Sequence, residues 1–342
     1  MILDKKRGCM LLLYQKNDYL SSLRWRERVQ NVPSRRLSHE MKNIFTKEIL
    51  IMSLLKWAEL REEEFEDAAR AANGLCIVPV GCYEMHGQHL PVRTDVYQAE
   101  AVANAAAELE TAVVFPAFEF GAVHSLVEWK GAIRLDPHLM LDLLENYCTE
   151  IARQGFDKIL LVNHHGGNGG FLGYFTGMLS HKHRDFSVIS VEPSVLFDRD
   201  ILPNVEKHGL SYYPELTEED LDVIRDVVEN KHVSGHACMS ETCQMLAIRP
   251  DLVRLDRLGR VSGLPTHKGD RFVEAGVVIQ GWELNFPNSY ASTDPVRATA
   301  NIGRLLIRLM AELVAKAARV FKEDNRYFVE ERDRKRPYYP EN

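Results

Sequence analysis

The sequence predicts an α/β protein with a mostly parallel sheet covered by helices on both faces. Two observations carry this reading. Short apolar runs, each the length of one buried strand, recur between glycines and polar residues. Between them lie longer segments whose apolar residues repeat at helical spacing. Such alternation joins strands by crossovers, which makes neighbouring strands parallel.

The elements follow in order. Leu54, Leu55, Trp57, Ala58 and Leu60 fall at helical spacing, and an acidic helix over 62–72 stops at Asn73-Gly74. Residues 75–80 form a continuous apolar run, read as a buried strand that ends in the loop 81–91. A helix is expected over 96–109 and a strand over 113–115. Leu139, Leu141, Leu143, Leu144 and Tyr147 mark a helix over 137–154. A strand at 158–162, a helix at 170–180 and a strand at 186–191 continue the pattern. Helices are expected at 217–229 and 241–247, and a strand at 277–280. A long closing helix spans 295–321, interrupted only by Gly303.

Composition narrows the function classes. The 342 residues carry a net charge of −7, which argues against nucleic acid as main partner, since that needs clustered positive charge. No apolar run reaches the roughly 18 residues of a spanning helix, and no segment reads as a secretory signal. The six cysteines form no C-x-x-C pair, a pattern that points to a cytoplasmic protein without a disulfide framework. Charge is unevenly placed: residues 1–48 hold 11 Lys/Arg against 5 Asp/Glu, leaving −13 for the remainder. The expected organisation is a basic extension over 1–52, one domain over 53–321 and a charged tail over 322–342.

Chemistry concentrates in three loops. In folds of this kind, sites form on loops leaving the carboxyl ends of strands. The first loop holds Glu84, His86, His89 and, just beyond it, Asp95, four potential ligands within twelve residues. A mixed carboxylate–imidazole set suits Zn²⁺, Mn²⁺ or Fe²⁺ better than Ca²⁺ or Mg²⁺. The second loop, Asn163-His164-His165-Gly166-Gly167-Asn168, joins a strand to a helix and lacks the Lys-Ser/Thr of a phosphate cradle. Adjacent His164 and His165 cannot readily point the same way, so at most one is a direct ligand. The third loop carries His236 and Glu241, and Glu241 in a helix's first turn also suits the helix dipole.

These loops resemble the signatures of the creatininase (creatinine amidohydrolase) family. Pro79-Val80-Gly81-x-x-Glu84-x-His86-Gly87-x-His89-Leu90-Pro91-x-x-Thr94-Asp95 is similar to the first. Asn163-x-His165-Gly166-Gly167-Asn168 and Gly235-His236-Ala237-x-x-x-Glu241-Thr242 resemble the second and third. Asp294-Pro295-x-x-Ala298-Thr299-x-x-x-Gly303 resembles the C-terminal segment. Order and spacing agree from residue 53 to about 320.

The resemblance implies a three-layer α/β/α sandwich and a hydrolase with two divalent ions, Zn or Mn, with Fe an option. By position it implies Glu84, His86, Asp95 and His165 as ligands, with Asp95 bridging. Creatininase itself has a glutamate in the second signature where this chain has Gly167, and Glu241 is taken as the remaining ligand. His236 matches a catalytic histidine. Two ions sharing a carboxylate activate a water and polarise a carbonyl, and a histidine moves the proton to the leaving nitrogen. His164, Gly166 and Cys238 depart from the family pattern beside the expected site, which argues against creatinine itself as substrate. His124, Trp129 and His164 are candidates for contacting substrate.

The leading expectation is hydrolysis of a C–N bond in an amide, cyclic amide or formamide. Hydrolytic C–C cleavage of a polar cyclic diketone and a non-catalytic scaffold are the alternatives. The expected partners are a small-molecule substrate and further copies of the chain, with a hexamer the family's frequent form, but neither nucleic acid nor membrane.

Overall fold

The computed structural model describes residues 56–332, apart from 125–127, 182, 279–280 and 325. The basic extension over 1–52, Leu54, Leu55 and residues 333–342 of the tail lie outside the described residues.

In chain order the first half comprises α1 (Phe65–Ala71), β1 (Leu75–Val80), α2 (Thr94–Leu109), β2 (Val113–Val114), α3 (Pro137–Arg153), β3 (Lys158–Asn163), α4 (Asn168–Leu179) and β4 (Ser187–Val191). The second half comprises α5 (Leu202–His208), α6 (Glu218–Glu229), β5 (Ser234–His236), α7 (Met239–Ile248), α8 (Asp270–Glu274), α9 (Trp282–Asn285), β6 (Ala291–Ser292), α10 (Ala300–Glu323) and α11 (Tyr327–Arg332). β1 to β4 form one parallel sheet in the order β2-β1-β3-β4. β5 and β6 form a separate antiparallel pair.

Side-chain alternation explains the three layers. Cys76, Val78 and Val80 of β1 and Ile159 and Leu161 of β3 pack with Ala68 of α1, Leu144 and Ile151 of α3, and Leu172 and Phe175 of α4. Leu75, Ile77, Leu160 and Val162 have the opposite parity and are fully buried as well. That second face is covered by α2 and α10, which contact β1 and β3. A strand buried on both faces needs apolar residues at every position, and β1 has them.

Pro79 sits in this central strand, where a missing N–H normally breaks a ladder. β2 pairs only as far as Ile77, and the Pro79 carbonyl accepts from Phe118 N at 2.8 Å. Pairing on this side resumes at Val80 with Phe118, so the missing N–H of Pro79 falls in the gap between the two paired stretches.

Two expectations needed correction. The strand expected over 277–280 is absent at Val277 and Val278, and Val278 is 91% exposed. Gly276 takes a φ of +74°, Val277 N bonds Phe272 O and Gly276 N bonds Val273 O, both at 2.9 Å. That is a Schellman closure of α8, so Val277 terminates a helix. The closing helix begins at Ala300 rather than 295, because Thr299 caps it by accepting from Ile302 N at 3.3 Å. Gly303 does not interrupt it. A Cβ there would collide with the Cys243 carbonyl of α7, so glycine permits the close crossing of α7 over α10.

Candidate metal centre

The sheet order places the centre. From β1 the chain moves to β2 on one side, then returns to β3 on the other. The carboxyl ends of β1 and β3 flank this reversal, where α/β sheets open a crevice. Val80 pairs with Asn163 there, so the first and second loops leave side by side.

Each loop is locked locally. A Cβ on Gly81 would lie 2.7 Å from Val96 N, so glycine lets the end of β1 press against the start of α2. That contact carries Asp95 to the first loop. In the second loop, Asn163 Oδ1 accepts from His165 N at 3.1 Å and Asn168 Nδ2 at 3.0 Å, and Asn163 Nδ2 donates to His165 O at 2.9 Å. Asn168 Oδ1 then accepts from Ala122 N at 2.7 Å. Glu241 comes from the first turn of α7, with its carboxylate accepting from Ala237 N.

Six of the expected residues converge, Glu84, His86, Asp95, His165, His236 and Glu241. Asp95 Oδ1 lies 2.8 Å from His86 Nε2, and Asp95 Oδ2 lies 3.1 Å from His165 Nδ1. His165 Nδ1 is also 3.1 Å from Glu84 Oε1. His86, Asp95 and Glu241 each offer an atom within 4.8 Å of the others. Cys82, Glu84, Asp95 and His165 do the same, as do Glu84, His86 and His236. Asp95 belongs to both of the first two groups.

The histidines are oriented from behind. His86 Nδ1 meets the Glu84 carbonyl at 3.1 Å, His165 Nε2 the Ala122 carbonyl at 3.1 Å, and His236 Nε2 the Met85 carbonyl at 2.8 Å. A carbonyl only accepts, so these nitrogens carry the hydrogen. Each ring's other nitrogen faces carboxylate oxygens, and only a proton or a cation can sit between them. Ligand histidines are oriented in this way.

The electrostatics agree. Burial opposes charge on His86, but Asp95, Glu241 and Glu84 outweigh it and raise its pKa to about 10. Burial also opposes charge on His165, yet Glu84 and the bond to Asp95 hold its pKa well above the ordinary value. Against the same burial, the His86 charge and both imidazole contacts keep Asp95 well below the usual carboxylate range. Burial pushes Glu241 up, partly offset by His86 and His236. Three carboxylates this close together without countercharge are costly, and the set suits a divalent ion.

A cavity of about 390 Å³ opens over the cluster, walled by Glu84, Asp95, His165, His236, Glu241 and Trp282, with His124 and His164 at its side. A second cavity of about 320 Å³ shares His164, Gly166, Gly235 and Glu241 with it. Trp129 does not line the first cavity. His164 bonds the Asn163 carbonyl through Nδ1 at 3.0 Å, its Nε2 lacks a partner, and burial lowers its pKa to about 4. His89, a potential ligand by sequence, bonds Thr242 Oγ1 at 3.0 Å and packs edge-on against Tyr290, outside all three groups.

Sequence reasoning missed Cys82 and Trp282. Cys82 stands two residues before Glu84, so on an extended segment the two face the same side. Trp282 packs against His236 with ring centroids 5.3 Å apart, and no sequence spacing links them. A Cβ on Gly167 would collide with His165 Nε2 and the Ala122 carbonyl, so this position is closed to a side chain here.

Fold and cluster together define an α/β protein with a buried carboxylate–imidazole centre fit for divalent metal. The creatininase family model, described as creatinine amidohydrolase, matches residues 58–318. The chain belongs to the creatininase family and is a hydrolase of that family. It is 28% identical to creatinine amidohydrolase of Pseudomonas putida over 58% of this chain and 74% of that one. It is 27% identical to the mycofactocin precursor peptide peptidase of Mycolicibacterium smegmatis over 70% of this chain and 81% of that one. A manganese form of creatininase and a zinc–zinc form of a creatininase variant each superpose with a TM-score of 0.59 at 22% identity, covering 79% of this chain and 99% of theirs. A creatininase variant complexed with creatine superposes with a TM-score of 0.58 at 22% identity and the same coverage. Among the described residues no helix is long and apolar enough to cross a membrane.

Proposed function

We propose that this chain hydrolyses the C–N bond of an amide, cyclic amide or formamide at a centre of two divalent ions. One observation carries the reading: the two oxygens of Asp95 face two different histidines, His86 and His165, so one carboxylate serves two donor groups. Glu84, Asp95 and His165 would hold one ion, and His86, Asp95 and Glu241 the other. Zn or Mn suits this donor set. When bound, such ions polarise a carbonyl and lower the pKa of a water.

The remaining steps belong to the chain's own side chains. His236 is the proton-transfer residue of this reading. Its Nε2–H is tied to the Met85 carbonyl, and its Nδ1 stands 3.5 Å from Glu84 Oε1 at the cavity wall. From there Nδ1 can pass a proton to the leaving nitrogen. Trp282 and His86 pack against the His236 ring and hold its plane. His124 and His164 line the cavity where the rest of the substrate lies, while Trp129 stands outside it. The adjoining second cavity gives room for an amide within a longer chain, in keeping with a relative named as a peptidase. The reading places the enzyme in the cytoplasm as a homo-oligomer.

The test is metal analysis of protein kept under metal-retaining conditions, followed by a panel of amides, formamides, cyclic amides and cyclic diketones. The expected result is bound transition metal and release of ammonia or amine. Diketone cleavage without amine release would move the assignment to C–C hydrolysis, and protein without transition metal would remove the reading.

A further inference from the structure

We infer that Cys82 is a thiolate ligand of one of the two metal positions, which makes the two positions chemically unequal. The inference rests on the two-ion reading above. Cys82 Sγ lies 3.3 Å from Asp95 Oδ2, the same oxygen that His165 Nδ1 approaches at 3.1 Å. Glu84, Asp95 and His165 would give the first position only three donors. With Cys82 it has four, all within 4.8 Å of one another and all buried.

Cys82 would give the first position four protein donors, whereas His86, Asp95 and Glu241 would give the other three. A soft sulfur donor selects for zinc over manganese. Cys82 would therefore favour zinc at the first position. Ligation replaces the thiol proton by the metal: the S–H bond breaks, the S–metal bond forms, and one proton passes to solvent. Before metal binds, the same S–H points at Asp95. The fold holds the residue before Cys82 in place, since Gly81 packs on the backbone of Asp95 and Val96.

The test uses the full chain, stripped of metal and titrated with Co²⁺. Wild-type protein is expected to develop a near-ultraviolet thiolate-to-cobalt charge-transfer band as the first equivalent binds. Cys82→Ser, which keeps a hydrogen-bond donor to Asp95, is expected to lose the band and to bind the first zinc at least about tenfold more weakly. Cys148→Ala, a change at a core thiol away from the centre, is expected to retain the band. X-ray absorption of the wild-type zinc protein needs no variant, and the expected result includes a sulfur at about 2.3 Å. Two bound ions with only nitrogen and oxygen neighbours and no charge-transfer band overturn the thiolate ligand and leave the two-ion reading standing. Failure to bind either metal overturns both.

Discussion

Asp95 Oδ1 stands 2.8 Å from His86 Nε2, with both side chains almost wholly buried. The contact joins the start of α2 to the loop after β1. Because the other oxygen of Asp95 faces His165, this one carboxylate ties together the ends of two neighbouring strands.

Glu241 belongs to only one of the groups that share Asp95. Glu241→Gln should therefore release one equivalent of metal, retain the other, and lower turnover by about 100-fold, the scale on which a metal site loses function. Metal content and turnover on the same sample check this. Retention of both equivalents at full turnover would show that Glu241 is not a ligand.

Asn163 bonds both the N–H and the carbonyl of His165, and it receives Asn168. Asn163→Ala leaves these buried groups unpaired and should cost about 1–3 kcal/mol of stability. His165 is also freed, so metal affinity should fall about 10–100-fold. Urea unfolding and metal titration separate the two effects. A loss of stability with unchanged affinity would limit Asn163 to a structural role.

Gly303→Ala should destabilise despite alanine's helix preference of about 1 kcal/mol. The added methyl collides with the Cys243 carbonyl, and overpacking of this kind costs about 1–3 kcal/mol. A urea midpoint equal to or above that of the wild type would show that α7 and α10 separate freely.

Asp220 links α6 to α10. It accepts from Thr299 Oγ1 at 2.6 Å and from Asn301 Nδ2 at 2.7 Å. Burial opposes its charge, but the bonds from Thr299, Thr217 and Asn301 hold its pKa below the usual carboxylate value. A lowered folded-state pKa gives stability that is present above the unfolded value of about 3.9 and is lost as pH falls through the folded value. Asp220→Asn should reduce stability at neutral pH and flatten the decline below about pH 4. Urea midpoints measured from pH 3 to 7 check the sign, and parallel curves would count against it.

Much of the centre was legible because its residues are contiguous in sequence. Glu84, His86 and Asp95 follow one buried strand and His164-His165 follow its neighbour in the sheet, so loop position pointed to both loops, while the resemblance to the family signatures chose His165. The all-apolar runs of β1 and β3 made the central sheet legible too. Val277 and Val278 misled because β-branched residues favour strands on pattern, whereas Gly276 consumes Val277 in a helix closure. Ser234-Gly235-His236 has no apolar alternation, so β5 left no periodic signal. Trp282 reaches His236 only through tertiary folding. His89 has the right chemistry, but its ring turns towards Thr242, and nothing in residue spacing records that rotation.

Metal stoichiometry of wild-type protein and Asp95→Asn, measured side by side after identical purification, tests the shared carboxylate most directly. The expected result is two ions per wild-type chain and near-complete loss of both from the variant. Two ions retained by Asp95→Asn, or none in the wild type, would contradict the account.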